Sequence, residues 1–325
     1  MSGGDTAPHV VEDFFGVVQI LSDGNVVRGD EDALQPPATY PGVPGVEWKD
    51  VVYHAAHGLR ARIYRPSSSV GKLPVLVYFH GGGYCVGSFA QPMFHTFCLR
   101  AAAELPAVVL SVQYRLAPEH RLPAAIEDGA DFLSWLRAQA TGGADPWLAE
   151  SADFARTFVS GASAGANLAH HVTVQVASGQ LAVRPLRVAG YVLLSAFFGS
   201  AERTAAEVEP PADVSLTVEA SDLLWHMSLP VGATRDHPVA NPFGPDSPSL
   251  TAVDLPPALV VVPGSDVLRD HVRGYAARLK DMGKKVEVVE FAGEQHGFSV
   301  LQPFGEAANE LLRVLTRFVC TGHSD

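Results

Sequence analysis

The stretch Gly161-Ala162-Ser163-Ala164-Gly165 follows the short apolar run Thr157-Phe158-Val159 and opens a segment of small residues that starts at Ala164. A serine on a sharp strand-to-helix turn sits on strained backbone with its hydroxyl exposed. Glycines on either side are needed there because a β-carbon would collide with neighbouring backbone. The first amides of the following helix point at the same spot and favour negative charge. A serine so placed can serve as a nucleophile in acyl transfer; the plainer reading is the start of a small-residue helix.

Three more stretches bear on the same chemistry. His80-Gly81-Gly82-Gly83 stands directly after Val75-Leu76-Val77-Tyr78-Phe79. Without β-carbons, the N–H groups of Gly81, Gly82 and Gly83 are unobstructed and can converge, with that of Ala164, on one oxyanion. Losing one such donor costs about 3–4 kcal/mol of barrier. Gly81-x-Gly83-x-x-x-Gly87 also forms a loose dinucleotide fingerprint, but Gln113-Tyr114-Arg115 after the next strand lacks the acid that grips a ribose and offers only an arginine suited to a 2′-phosphate. A tight turn is the third reading. Asp266 follows the run 258–262, where a turn or N-cap role is open to it. His296 follows a run ending at Phe291 and is one of 13 histidines, most of which must be surface or structural. Asp270, four residues beyond Asp266, reads as a surface or salt-bridge residue. Chain order joins the candidates: Ser163, Asp266, His296 is the order nucleophile, acid, base in one large class of hydrolases. His296 would take the serine proton. Asp266 would fix the imidazole tautomer and stabilise the imidazolium, a function whose loss costs serine proteases about 10⁴ in rate. The alcohol would leave with the proton, and water would repeat the cycle.

Such a constellation requires a scaffold that gathers strand ends. Apolar runs at 75–79, 107–112, 157–159, 188–194, 258–262 and 286–291 suit parallel strands covered on both faces. Helical patterns at 124–140, 164–177, 267–282 and 306–319 lie between them, which predicts βαβ units with right-handed crossovers and a doubly wound, mostly parallel sheet. Val51-Val52-Tyr53 and 59–64 flank His57-Gly58 as a hairpin. Residues 196–256 break the alternation and read as an insertion, helical around 218–227. Residues 1–45 carry an apolar patch, including Phe14-Phe15, that ends at the turn Ser22-Asp23-Gly24-Asn25. An extended stretch through Pro36, Pro37, Pro41 and Pro44 follows. The expected organisation is an N-terminal segment, 1–45, that packs on one α/β domain, 46–325.

Composition narrows the function classes. Apolar residues make up 47% of the 325, enough for a large core, and 30 glycines with 24 prolines predict many tight turns. The net charge of −12 argues against nucleic acid and anionic membrane as partners. No run approaches the roughly 20 apolar residues of a membrane span, and the N-terminus lacks the basic and apolar regions of a signal peptide. Three cysteines fit neither a zinc pattern nor a disulfide framework, so a reducing, cytoplasmic location is expected, with the nucleus left open. His170-His171 falls in a buried helix and reads as core packing. No metal and no cofactor are expected.

With these residues in place, the chain resembles the plant carboxylesterases of the hormone-sensitive-lipase group within the α/β-hydrolases. The resemblance runs through His80-Gly81-Gly82-Gly83-Tyr84-Cys85-Val86-Gly87-Ser88, Tyr114-Arg115-Leu116-Ala117-Pro118-Glu119, Pro123-Ala124-Ala125-Ile126-Glu127-Asp128-Gly129, Arg235-Asp236-His237-Pro238 and Asn241-Pro242-Phe243-Gly244-Pro245, and reaches Ser22-Asp23-Gly24. Ala162 departs from it, since many members carry Asp there. The resemblance implies an esterase acting on small, often aromatic or specialised metabolites. It also implies a cap built from the N-terminal segment and the 196–256 insertion, with Phe14, Phe15, Tyr84, Phe197, Trp225 and Phe298 as pocket walls. Two relatives mark alternatives: gibberellin receptors, which have lost the catalytic histidine and bind hormone under a lid, and hydroxyisoflavanone dehydratases, which carry threonine for the nucleophilic serine. Ser163 and His296 are both present here, which favours the esterase.

Overall fold

The computed structural model describes residues 7–34, 38–68, 71–143 and 145–321. Pro36 and Pro37 of the expected extended stretch lie outside the described residues. The chain begins with three short antiparallel strands, β1 (Val10–Phe14), β2 (Val18–Leu21) and β3 (Val26–Arg28), paired in sequence order. The Ser22–Asn25 turn closes β2 onto β3, with Leu21 N–H donating to Asn25 O.

The body is an eight-stranded sheet. In chain order its elements are β4 (Val46–His54), β5 (Leu59–Pro66), β6 (Leu73–Phe79), α1 (Pro92–Glu104), β7 (Val108–Val112), α2 (Ala124–Ala140), α3 (Pro146–Ser151), β8 (Ala152–Ala162), α4 (Ala164–Ala177) and β9 (Val188–Leu194). They continue with α5 (Ala205–Val208), α6 (Val218–Ser228), β10 (Ala258–Pro263), α7 (Arg269–Asp281), β11 (Val286–Phe291), α8 (Phe298–Leu301) and α9 (Glu306–Thr321). The strand order is β11-β10-β9-β8-β6-β7-β5-β4. The β4–β5 hairpin is antiparallel and joins β7 antiparallel, while every other pairing is parallel. This is the mostly parallel, doubly wound sheet that alternating apolar runs and helices predict.

Because β6, β9, β10 and residues 157–162 of β8 are buried throughout or nearly so, both sheet faces need cover. One core packs α2, α4 and α7 with the insertion and the N-terminal sheet against one face; the other packs α1, α8 and α9 against the opposite face. The arrangement leaves the carboxyl ends of β6, β8, β10 and β11 along one edge, where the loops bearing His80, Ser163, Asp266 and His296 emerge. Ligands of open α/β sheets gather at that edge.

The insertion between β9 and β10 is helical at 218–228, as its pattern predicts. The N-terminal sheet is tied to the insertion by His226 and Glu12 (3.0 Å) and to the body by Arg28, which holds Glu119 and donates to Ala117 O (2.8 Å). Among the described residues no helix is long and apolar enough to cross a membrane.

Candidate active site

Ser163 lies between β8 and α4 with φ 55° and ψ −118°. A non-glycine residue holds that conformation only where its surroundings over-determine it, and here they do. Its N–H donates to Leu194 O on β9 (2.9 Å), and its carbonyl accepts from Phe197 N (3.0 Å) as well as from the helical Ala166 and Asn167 N–H groups. The flanking glycines permit the crowding. A β-carbon on Gly165 would sit 2.0 Å from Phe79 O, and one on Gly161 would sit 2.2 Å from Gly165 O. α4 can therefore start hard against β6 and β8, which leaves the serine side chain at the sheet edge.

His296 Nε2 stands 2.8 Å from Ser163 Oγ, and its Nδ1 stands 2.7 Å from Asp266 Oδ2. A carboxylate only accepts, so Nδ1 carries the proton toward Asp266 and Nε2 is left with a lone pair facing the hydroxyl. Asp266 is fully buried and its other oxygen accepts Leu268 N–H (2.9 Å), which fixes the carboxylate plane. The imidazole remains 12% exposed, open to a ligand. Two contacts from the insertion brace the loop that carries it: Ser215 Oγ donates to His296 O (2.9 Å), and Gln295 Nε2 donates to Asp213 O (2.6 Å). Asp270 turns away and accepts Ala206 N–H (2.9 Å).

The glycine loop lies across from the serine, with the β-position of Gly81 3.2 Å from Ser163 Cβ. Its peptide planes are held by their carbonyls. Tyr114 O–H donates to His80 O (2.8 Å), His80 Nδ1 donates to Gly81 O (2.8 Å), and Gly82 O accepts from Cys85 N (2.9 Å) and Val86 N (3.0 Å). In a trans peptide the N–H points opposite the carbonyl. Holding these three carbonyls turns the N–H groups of Gly81, Gly82 and Gly83 to the other edge. Among the described residues none of these N–H groups, nor that of Ala164, has an acceptor. Gly82 is at φ 123°, and a β-carbon there would meet Val86 O at 2.0 Å, so no other residue fits. Burial pushes the His80 pKa down to about 4, against the pull of its Gly81 bond, so the ring is a neutral donor at ordinary pH.

The aromatic residues expected to wall a pocket are placed differently. Phe197 and Trp225 stack at 4.1 Å, buried at 0% and 1%, and Tyr84 is buried beside Trp225 with its hydroxyl donating to Asn167 Oδ1 (2.7 Å). Phe14 is core, Phe15 projects into solvent at 60% exposure, and Phe298 packs on Phe291 in the opposite core. Size and apolarity drove all of these side chains but Phe15 into packing, so the five leave little surface for a ligand. None of the six lines the cavity of about 200 Å³ beside Gly81 and Gly82, whose walls include Tyr40, Met93 and Phe94. Sequence reasoning also missed Asn167, whose amide donates to Phe197 O (2.9 Å) and Val239 O (2.8 Å); a buried Asn one turn into a helix was its only signal. His170 and His171 bond to Tyr275 O–H and Val239 O, and burial lowers both pKa values, that of His171 to about 4. Among the described residues no cluster of His, Cys, Asp and Glu is gathered as for a metal.

A family model described as the alpha/beta hydrolase fold matches residues 76–300. The chain is 35% identical to carboxylesterase 20 of Arabidopsis thaliana, covering 91% of this chain and 94% of that one. It is 32% identical to 2-hydroxyisoflavanone dehydratase of Glycyrrhiza echinata, covering 93% and 94%. Among solved structures it is similar to a thermostable carboxylesterase cloned from a metagenomic library, with TM-score 0.73 and 31% identity over 90% of this chain and 93% of that one.

Proposed function

We infer the mechanism from one premise: the chain belongs to the α/β-hydrolase family and is a carboxylic ester hydrolase. Ser163 is the nucleophile, His296 the general base and then the general acid, and Asp266 the group that orients and stabilises the imidazolium. His296 Nε2 accepts the Ser163 proton as Oγ attacks the ester carbonyl. The tetrahedral oxyanion is held by the free N–H groups of the glycine loop and Ala164, which are already oriented before substrate arrives, so no reorganisation is charged to the transition state. Collapse expels the alcohol with the proton from His296, and water repeats the sequence on the acyl-enzyme. The N-terminal sheet and the insertion form the cap, and the substrates are esters of small metabolites.

The observation that supports this most directly is the unbroken line from Asp266 through His296 to Ser163, at 2.7 and 2.8 Å, beside a glycine loop whose N–H groups have no acceptor among the described residues. The similarity to a dehydratase makes water loss from a hydroxylated ring ketone the rival outcome. Ser163→Ala tests the choice. It is expected to lower kcat on p-nitrophenyl acetate by at least about 10³ with an unchanged thermal melt, and to abolish labelling by a fluorophosphonate. Undiminished turnover in that variant would remove Ser163 from the mechanism.

A further inference from the structure

We propose that the chamber beside the glycine loop receives the acyl part of the ester and that Glu31 on its rim selects the acyl group, favouring a compact one that ends in a hydrogen-bond donor, a hydroxyl or an ammonium, over one that ends in a carboxylate. The inference rests on the serine mechanism above.

Position comes first. The chamber of about 200 Å³ lies between the N-terminal segment and the glycine loop, with Gly81 and Gly82 in its lining. Gly81 abuts Ser163, so the chamber begins beside the attacked carbonyl. Neither Ser163 nor His296 is in the lining, and Gly81 is the residue through which the chamber meets the serine. The leaving oxygen must lie within hydrogen-bond reach of Nε2 to receive its proton, so the alcohol departs on the imidazole side; the oxyanion takes the glycine N–H groups, and the acyl group extends past Gly81 into the chamber. Pockets for drug-sized ligands run to about 300–1,000 Å³, so this one suits a short or single-ring acyl group.

Chemistry comes second. The walls are apolar at Tyr40, Val86, Met93 and Phe94, but the lining also holds Glu31 and Asp32 and no Lys, Arg or His. Glu31 is fixed rather than loose: its Oε2 accepts both Gly87 N–H (2.9 Å) and the Gln91 side-chain amide (2.6 Å). Both donors are neutral, and among the described residues Oε1 has no donor. The nearby Arg28 is already committed to Glu119 and to the carbonyls of Cys85 and Ala117. A half-buried, immobilised carboxylate with a free oxygen attracts a donor and repels a second carboxylate.

The test compares kcat/KM at pH 7 for the p-nitrophenyl esters of benzoic, 4-hydroxybenzoic, 4-(aminomethyl)benzoic and 4-carboxybenzoic acids, each normalised to its spontaneous hydrolysis, with p-nitrophenyl acetate as reference. The wild type should favour the aminomethyl over the carboxy ester by about tenfold or more, with the hydroxy ester above the unsubstituted one. Glu31→Gln should bring the aminomethyl-to-carboxy ratio to within about threefold. Asp32→Asn, which touches no loop hydrogen bond, should lower it by a smaller factor. Raising salt from about 20 mM to about 0.5 M should compress the wild-type ratio. Equal normalised rates in the wild type, or a preference untouched by both substitutions and by salt, overturns the inference. So does hydrolysis of the acetate with none of the benzoates. Absent or Ser163-independent turnover of the acetate strikes instead at the serine mechanism itself.

Discussion

Asp266 and Asp270 sit four residues apart in one segment, yet the structure gives them opposite tasks. Asp266 is buried and holds Nδ1 of His296, while Asp270 caps a backbone N–H of the insertion. Asp266→Asn is therefore expected to cut kcat by about 10⁴ while Asp270→Asn changes it by no more than a few-fold, both read on p-nitrophenyl acetate. The reverse ranking would reassign the acid. Residues of this kind were legible in the sequence because the chemistry restricts their type and the topology restricts their order. Trp225 and Phe197 were not, because nothing in a linear string distinguishes an aromatic ring facing a ligand from one stacked on another ring at 4.1 Å. Tyr40 and Met93 were passed over for the same reason, since their place beside the glycine loop is created only by the N-terminal segment folding back on the body.

Elements were more legible than walls. α2 and α4 have the bounds that their patterns indicate, because each carries an apolar face toward the sheet and starts or stops at a recognisable turn. β8 is longer than its apolar run, since residues 153–156 are part-buried or, at Ala155, exposed and so carry a mixed pattern. α1 lies outside the elements expected from the sequence, although its buried Phe94, Phe97, Cys98 and Ala101 stand at i, i+3, i+4 and i+7; it opens at Pro92 without a side-chain cap to mark its start. The element that organises the site edge is α4, and its fully buried Asn167 links Tyr84 of the glycine loop to Phe197 and Val239 of the insertion. Asn167→Ala would strand the Tyr84 hydroxyl and the Phe197 carbonyl in the interior, while Val239 O keeps its bond from His171. Urea unfolding should show a loss of about 2–4 kcal/mol, well above the effect of a surface alanine.

At the scale of the whole molecule, the insertion is anchored to the body through Glu207. Its carboxylate takes hydrogen bonds from His271 on α7 (3.0 Å), from Arg203 and Arg235 (2.9 Å each) and from Thr204 N–H (2.9 Å). Burial works against its charge, but the bonds from His271 and Thr204 outweigh it and hold its pKa well below the ordinary carboxylate value. A carboxylate depressed on folding stabilises fully above its unfolded pKa, near 4.5, and loses that contribution as pH falls toward the folded value. Tm should therefore be insensitive to this group from pH 7 to about 5 and fall below about pH 4.5. Glu207→Gln should melt lower at pH 7 and show a shallower acid decline; an identical acid slope in both proteins would dissociate Glu207 from it.

The bond from Ser215 to the carbonyl of His296 carries a practical lesson for anyone who would exchange the 196–256 segment to broaden substrate range. A transplanted segment that omits the 213–215 corner would unmoor the imidazole along with the specificity it was meant to alter, so chimaeras should be cut outside that corner.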